Sequence, residues 1–550
     1  MTETCNIAAA LPRLAAQSPD RIAMRCPGSR GPGGLARYDV TLSYRDLDRR
    51  SDALAAGFAK RGIVRGTRAV VMVRPSPEFF LLMFALFKAG AVPVLVDPGI
   101  DRRALRQCLD EALPEAFIGI PLAQAARRLL GWARSAKVIV TAGRRWFWGG
   151  ASLAEVEAAG AGAGPQLAAT QPDDVAAILF TSGSTGVPKG VVYRHRHFVA
   201  QVDMLRNAFG IVPGGVDLPT FPPFALFDPA LGVSSIIPDM DPTRPAKAEP
   251  RKLLHAIERF GVDQLFGSPA LMRVLAEHGA PLPGLRRVTS AGAPVPADVV
   301  ARMCELLPES AQFWTPYGAT ECLPVAVIEG RELQLTREAT EQGAGTCVGR
   351  PVPPNEVRLI AISDDAIADW SQVVELGAES IGEITVAGPT VTDEYFNRPQ
   401  ATALAKIRET LPGGHVRIVH RMGDLGRMDA QGRLWFCGRK SHRVRTQLGG
   451  LYTEQVEPVF NTHPDVARTA LVGVGEPGRQ RPVLCVEMRT GLARGEHARV
   501  IAELQRHAMG HVHTGRIETF LVHPGFPVDI RHNAKIGREH LALWAARRLG

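Results

Sequence analysis

The sequence predicts an α/β protein: a large N-terminal domain of layered α/β sheets plus a small β-rich subdomain, followed by a small α+β C-terminal domain. Three observations carry this reading. Apolar strand segments alternate with helical ones over most of the chain, as in buried parallel sheets. Near residue 380 the segments become short, β-rich and bounded by glycine. After Gly438-Arg439-Lys440 a last stretch of about 110 residues has apolar segments of its own, which places a boundary between residues 1–439 and 440–550.

In chain order, Ala69-Val-Val-Met-Val73 is a buried strand and Phe79–Phe87 a helix. Ala91–Val96 is the next strand, ending at Asp97-Pro98. Ala158–Pro165 is Ala/Gly-rich and reads as a flexible surface connector. Ala176–Phe180 and Val191–Tyr193 are strand-like and flank the loop Thr181–Gly190. Val299, Val300, Met303, Leu306 and Leu307 recur at helical spacing after Pro294-x-Pro296. Ile381–Val386 and Gly432–Phe436 are the short β segments, and Ala470–Val474 and Val483–Val486 lie in the C-terminal part.

Length and composition exclude a small disulfide scaffold or a lone binding module. The chain has 550 residues, 45% hydrophobic and 22% charged, so it folds around sizeable cores. A net charge of +9 makes nucleic acid, an anionic membrane or a polyphosphate worth testing as partner. Of that charge, +6 falls in residues 440–550, and no basic-aromatic groove accompanies it, so nucleic acid is not expected. The eight cysteines include no C-x-x-C pair and read as small buried hydrophobes in a reducing, cytoplasmic setting. No signal peptide is evident, and Phe79–Phe87 is too short to span a bilayer. His195-x-His197 and the group His507, His511 and His513 lack accompanying Cys or paired carboxylates, so both read as surface or packing histidines.

The chemistry concentrates in Thr181-Ser-Gly-Ser-Thr-Gly-Val-Pro-Lys-Gly190. Pro188 and a β-branched run follow where a Walker loop would enter a helix. The physics is still that of a polyphosphate cradle. Gly183 and Gly186 let backbone amides approach an anion, Thr181, Ser182, Ser184 and Thr185 donate hydroxyls, and Lys189 adds positive charge. Tyr317 is flat and aromatic, Gly292, Ala293 and Pro294 are small or rigid, Glu321 is a hard oxygen ligand, Thr320 a hydroxyl donor, and Asp424 a two-oxygen acceptor with Arg439 nearby.

These strings resemble, in order, the core motifs of the adenylate-forming superfamily of acyl-CoA synthetases, luciferases and peptide-synthetase adenylation domains. Leu42-Ser-Tyr-Arg-Asp-Leu47, Lys88–Pro98, Ser290–Pro294, Tyr317-Gly318-Ala-Thr320-Glu321, Arg421–Gly426, Gly438-Arg439 and Asn533-Ala-Lys535 all match, over almost the whole chain. The resemblance implies ATP and Mg²⁺, a nucleotide site in residues 1–439, and a mobile lid, 440–550, whose Lys535 neutralises charge at the α-phosphate as a mixed anhydride forms.

Within that family the sequence is similar to the branch that forms β-lactones in bacterial long-chain olefin biosynthesis. Phe221-Pro-Pro-Phe224-Ala-Leu-Phe227-Asp228-Pro-Ala-Leu-Gly232 stands where the family builds its acyl pocket, and its aromatic character suits a long-chain β-hydroxy fatty acid. Asp228 serves either as an ammonium anchor or as a turn residue. Ser441 takes the hinge position and Arg445 that of a frequent lysine, while Leu448 takes that of the usual pantetheine-tunnel glycine unless Gly449 substitutes by a one-residue shift. The resemblance implies a complex with other olefin-biosynthesis enzymes. The alternatives are a long-chain fatty acyl-CoA ligase, a fatty acyl-AMP ligase loading a carrier protein, and a catalytically silent adenylate-binding protein.

Overall fold

The computed structural model describes residues 4–97, 100–181, 188–528 and 536–550. Its first unit is a seven-stranded sheet. In spatial order its strands are Ala151–Ser152, Val138–Thr141, Ala116–Gly119, Arg68–Met72, Val92–Val96, Val175–Thr181 and Lys189–Arg194. All neighbours run parallel except the last pair, which forms an antiparallel hairpin with Thr181 opposite Lys189. Parallel strands must be covered on both faces. The helix Pro77–Lys88 covers one face, with every residue from Phe79 to Lys88 buried. Lys88 ends that run, and its ammonium is held at 2.6 Å by both Asp48 and Asp52, so the buried charge is paired.

A second, larger sheet changes character midway. From Ile22–Cys26 through Ser234–Ile236, Val216–Pro219, Gln264–Gly267 and Arg287–Ser290 to Gln312–Ala319 its neighbours are parallel. Beyond Gln312–Ala319 every pairing is antiparallel, through Cys322–Glu329, Thr346–Pro351, Leu434–Arg439, Val416–Met428 and Gly382–Ala387 to Glu356–Ile360. The β-rich part expected near residue 380 is this antiparallel half, continuous with the parallel half.

After Arg439 the chain builds a small hairpin and a separate three-stranded sheet, Val466–Val474, Arg481–Met488 and Thr519–Val522, covered by the helices Thr453–Asn461, His497–Ala508 and Arg538–Leu549. Lys440 is tied into the preceding sheet. Its amine bonds the Ser363 carbonyl and the buried Glu383 carboxylate, both at 2.8 Å, and Glu383 also pairs with Arg421 at 2.7 Å.

One expectation is corrected. Ala158–Gly160 are not connector but the end of the helix Leu153–Gly160, and Gly160 is buried. This helix crosses Tyr44–Ala59 at Gly57 and Gly160, where a Cβ would collide with the carbonyls of Val156 and Ala53 respectively. Residues 161–165 follow the helix and are exposed, as Ala158 and Ala159 are.

Both histidines of His195-x-His197 are buried and serve packing. The His195 Nδ1 accepts from the Ile7 amide at 3.4 Å, which leaves Nε2–H without a partner. Burial pushes the His195 imidazole down to about 4 and that of His197 down to about 3.

Gly160→Ala gains helix propensity, yet the collision with the Ala53 carbonyl should destabilise by roughly 1–3 kcal/mol. The apparent Tm should fall, whereas Gly377→Ala, in open space, should leave it unchanged. Because the folded-state pKa of His195 lies below its unfolded value, the unfolded chain binds more protons between about pH 4 and 6.5. Stability should therefore drop as pH falls across that window, by roughly 3 kcal/mol for His195. Denaturant melts of wild type and His195→Gln at successive pH values check this, with a shallower slope expected for the variant.

Candidate active site

The carboxyl ends of parallel strands converge on one edge, where α/β sheets bind ligands. From the seven-stranded sheet, Val175–Thr181 delivers the phosphate loop. Thr181 is its last strand residue; Ser182, Gly183, Ser184, Thr185 and Gly186 lie outside the described residues. Lys189 opens the returning strand, exposed, with Nζ 4.9 Å from the Tyr395 ring centroid. Gly190 is required next to it, since a Cβ there would stand 2.8 Å from the buried Phe180 ring.

From the second sheet, Arg287–Ser290 leads into Gly292, Ala293 and Pro294, with Gly292 at φ +102° and exposed. The neighbouring strand carries Tyr317, half-buried, at the seam between the parallel and antiparallel halves. Its hydroxyl donates to Asp424 Oδ2 at 2.7 Å, and Arg439, opposite Asp424 in the strand register, places its guanidinium 2.8 Å from Oδ1. Burial raises the Asp424 carboxyl, and Arg439 and the Tyr317 hydroxyl oppose that rise. Asp424 thus has Oδ2 hydrogen-bonded by Tyr317, while Oδ1, buried and within ion-pair distance of Arg439, makes no hydrogen bond. A carboxylate has about four lone-pair sites, so capacity remains. Gly318 fits because a Cβ would press on the Cys322 carbonyl and Leu323 at 3.0 Å.

Thr320 and Glu321 turn away from this strand under close control. The Tyr193 hydroxyl donates to the Thr320 carbonyl, and Thr392 donates both N–H and hydroxyl to the Glu321 carbonyl, at 2.9 and 3.1 Å. Tyr395 donates to Glu321 Oε1 at 2.5 Å. Lys406, buried, bonds Thr392 and lies 6.0 Å from the Tyr395 ring centroid. Burial pushes its amine down to about 8, opposed by Glu321. Tyr395, Thr392, Tyr193 and Lys406 have no signature in the sequence, because only strand pairing brings them to Glu321. The same segment ties the two sheets together. Phe396 N–H donates to the Gly190 carbonyl at 2.7 Å and Val191 bridges to Tyr395.

The acyl segment forms an aromatic group on the same edge. Phe221, 43% exposed, lies 5.4 Å from Phe224, which packs at 4.3 Å on Phe266. Phe227 meets Phe198 at 6.1 Å, and Phe198 stacks on Tyr193 at 4.6 Å, linking this group to the Thr320 carbonyl. Asp228 and Gly232 bound a short helical turn. Asp228 is buried and accepts from Ser235 at 2.6 Å, with burial and Asp217 driving its carboxyl well up. Gly232, at φ +73°, closes the short helix Asp228–Leu231 against Pro213.

Lys535 lies outside the described residues. Described residues on either side of it are tied to one another and to the domain: Val528 bridges to Ile536, and Arg538 pairs with buried Glu457 at 2.6 and 2.8 Å. Arg538 is therefore no surface charge. Leu448, 76% exposed, tips the hairpin Val444–Thr446/Gly449–Leu451, with Gly449 at φ +111°. Arg445 pairs with Asp364 at 2.8 Å.

Fold and site together define an adenylate-forming enzyme, and the chain belongs to the AMP-binding enzyme family, whose model matches residues 11–396. A protein of Xanthomonas campestris pv. campestris named olefin beta-lactone synthetase is 72% identical over 99% of this chain and 98% of its own length. Its namesake in Stenotrophomonas maltophilia is 70% identical over 100% and 99%. The solved structure of the amide bond synthetase McbA from Marinactinospora thermotolerans superposes with a TM-score of 0.76 at 24% identity, over 98% of this chain and 99% of that one, a likeness of fold alone. Enzymes of this family use ATP and Mg²⁺. A half-buried carboxylate fixed by Tyr395, whose ring also meets Lys189, fits Mg²⁺, which takes one or two carboxylates plus phosphate oxygens. Among the described residues no group of three or more His, Cys, Asp or Glu is placed to hold a metal. No helix among them is long and apolar enough to cross a membrane.

Tyr395→Phe removes the hydrogen bond that aims Glu321. A bond to a charged group contributes about 1.5–3 kcal/mol, so ATP-dependent pyrophosphate release should fall roughly 10- to 100-fold, with the loss shrinking as Mg²⁺ rises. A Mg²⁺ titration of both proteins checks this; identical curves would remove Tyr395 from the site.

Proposed function

We propose that this chain activates a long-chain 2-alkyl-3-hydroxy fatty acid with ATP and closes it to a β-lactone. The observation that carries the reading is end-to-end identity of 72% and 70% to two proteins named olefin beta-lactone synthetase, on a chain that retains the family's phosphate loop, Glu321 and Lys535. The same reading places the chain in a complex with other olefin-biosynthesis enzymes.

In the first step a substrate carboxylate oxygen attacks the α-phosphorus of ATP and pyrophosphate leaves, giving an acyl-AMP. The amides and hydroxyls of Thr181–Gly186 and the Lys189 amine bind the polyphosphate. Tyr317 and Gly292–Pro294 sandwich adenine, and Asp424 with Arg439 orients the ribose. Glu321 would hold Mg²⁺, which when bound would supply positive charge to the phosphates. Lys535, brought in by the 440–550 lid, meets the charge developing at the α-phosphate, and Thr320 donates to the same group.

In the second step the substrate's own β-hydroxyl oxygen attacks the activated carbonyl, the bond to AMP breaks, and the hydroxyl proton leaves to a base. No second nucleophile is needed. Effective molarities of about 10⁵ M or more for a hydroxyl in near-attack geometry offset part of the four-membered ring's strain. Phe221, Phe224 and Phe227 supply an apolar wall for the alkyl chains, and lid closure keeps water from the anhydride.

Incubation with ATP and a 2-alkyl-3-hydroxy fatty acid, without CoA, should yield β-lactone and AMP by mass spectrometry. Strict dependence of turnover on CoA would instead establish the acyl-CoA ligase. Lys535→Ala should cut acyl-AMP formation by about 10² to 10³ while ATP affinity stays within a few-fold. Surviving turnover would refute the role given to Lys535.

A further inference from the structure

The helix Pro121–Leu130 is inverted in its polarity. Its inward face is Ala123, Gln124 and Arg127: Gln124 is fully buried and donates to the Val140 carbonyl at 2.8 Å, and the Arg127 guanidinium lies 5.7 Å from the Phe117 ring centroid. Its outward face carries Leu122 and Leu129, 68% and 82% exposed, two turns apart with Ala125 between them. A helix that folded only to cover a sheet would place those leucines inward.

The neighbouring loop extends the same surface. Trp148 is buried, its Nε1 donating to Thr141 at 2.9 Å, and this anchor leaves Trp146 and Phe147 outside at 56% and 77% exposure. Gly143 lies against Pro121, so loop and helix adjoin. Residues 121–150 hold six Lys or Arg and no Asp or Glu, and Arg128, Arg134, Lys137, Arg144 and Arg145 are exposed. The acidic groups that approach are Glu155, 3.5 Å from Arg145, and Glu78 and Glu157 in the adjoining cleft.

We propose that this face docks on an anionic lipid bilayer. The occupant must accept leucine and aromatic side chains and present negative charge around them without side-chain complementarity, which a bilayer interface with acidic headgroups does. Its position suits that role. The Trp146 loop follows Val138–Thr141 on the same strand edge from which Val175–Thr181 delivers the phosphate loop, four strands along, or roughly 19 Å. A protein docked this way holds the mouth of its nucleotide site beside the lipid surface.

Flotation of the full chain with phosphatidylcholine vesicles, with and without phosphatidylglycerol, tests the proposal. Wild type should float with the anionic vesicles and release in high salt. Trp146→Ser/Phe147→Ser should bind at least about tenfold more weakly, and Arg128→Gln/Arg144→Gln about fivefold more weakly per arginine. All should retain ATP-dependent pyrophosphate release, which shows that they fold. If the aromatic pair proves unable to fold, the arginine pair and Leu122→Ser/Leu129→Ser decide. Failure of wild type to float overturns the proposal, as does binding unaltered in the variants. So does a wild-type oligomer that ignores vesicles and that the aromatic variant converts to monomer, which would make the face an interface between copies.

Discussion

Tyr395 is the point on which the site depends. Its backbone bridges Val191 in the seven-stranded sheet, while it lies in the connection between the strand Gly382–Ala387 of the other sheet and the helix Pro399–Ala405. Its hydroxyl fixes Glu321, and Lys189 lies over its ring. The loop proposed for the phosphates and the carboxylate proposed for the metal come from different sheets. They can act on one polyphosphate only if the sheets keep one relative placement. A single residue that bonds to one sheet through its backbone and to the other through its side chain sets that placement to within hydrogen-bond tolerance.

Buried ion pairs mark other places where the chain changes partners. Glu383, with no exposed side-chain surface, takes Arg421 from the strand that carries Asp424 and Lys440 from the position after Arg439. Replacing such a triad with apolar groups can be neutral for stability, so its value lies in geometry. Here it fixes the exit of the chain from the nucleotide-binding sheet. Gly438 serves the same exit, at φ +128° and so close to Thr453 that a Cβ would stand 2.3 Å from its hydroxyl oxygen. Glu457 and Arg538 act alike inside the C-terminal domain, where Arg538 anchors the chain that follows Lys535.

The parts of this architecture that the sequence makes legible are those written in contiguous residues. The apolar strands, the helix Pro77–Lys88 and the hairpin that carries the phosphate loop have local patterns, and the structure places them where those patterns indicate. Tyr317 and Asp424 are legible as motif residues, but their mutual hydrogen bond is not, since it spans strands 107 residues apart. Tyr395 and Lys406 stand in strings with no recognisable chemistry and acquire roles through pairing with Lys189–Arg194 and Val416–Met428. Asp228 is ambiguous in the sequence, an anchor or a turn residue, and its hydrogen bond from Ser235 is visible only in the fold.

Net charge misleads when summed over long segments. Residues 440–550 carry +6 spread along the whole segment, with acidic residues interspersed and paired to Arg468, Arg499 and Arg538. Residues 121–150 carry the same +6 in about a quarter of the length, without an acidic residue among them. Taken together they exceed the whole chain's +9, so the remainder is slightly acidic. A field strong enough to orient the protein against a surface arises from charge that is both concentrated and unmatched, and it falls off within about 8–10 Å at ordinary salt. By the criterion of concentration the short segment beside Trp146 and Phe147 exceeds residues 440–550, although Arg145 there lies 3.5 Å from Glu155.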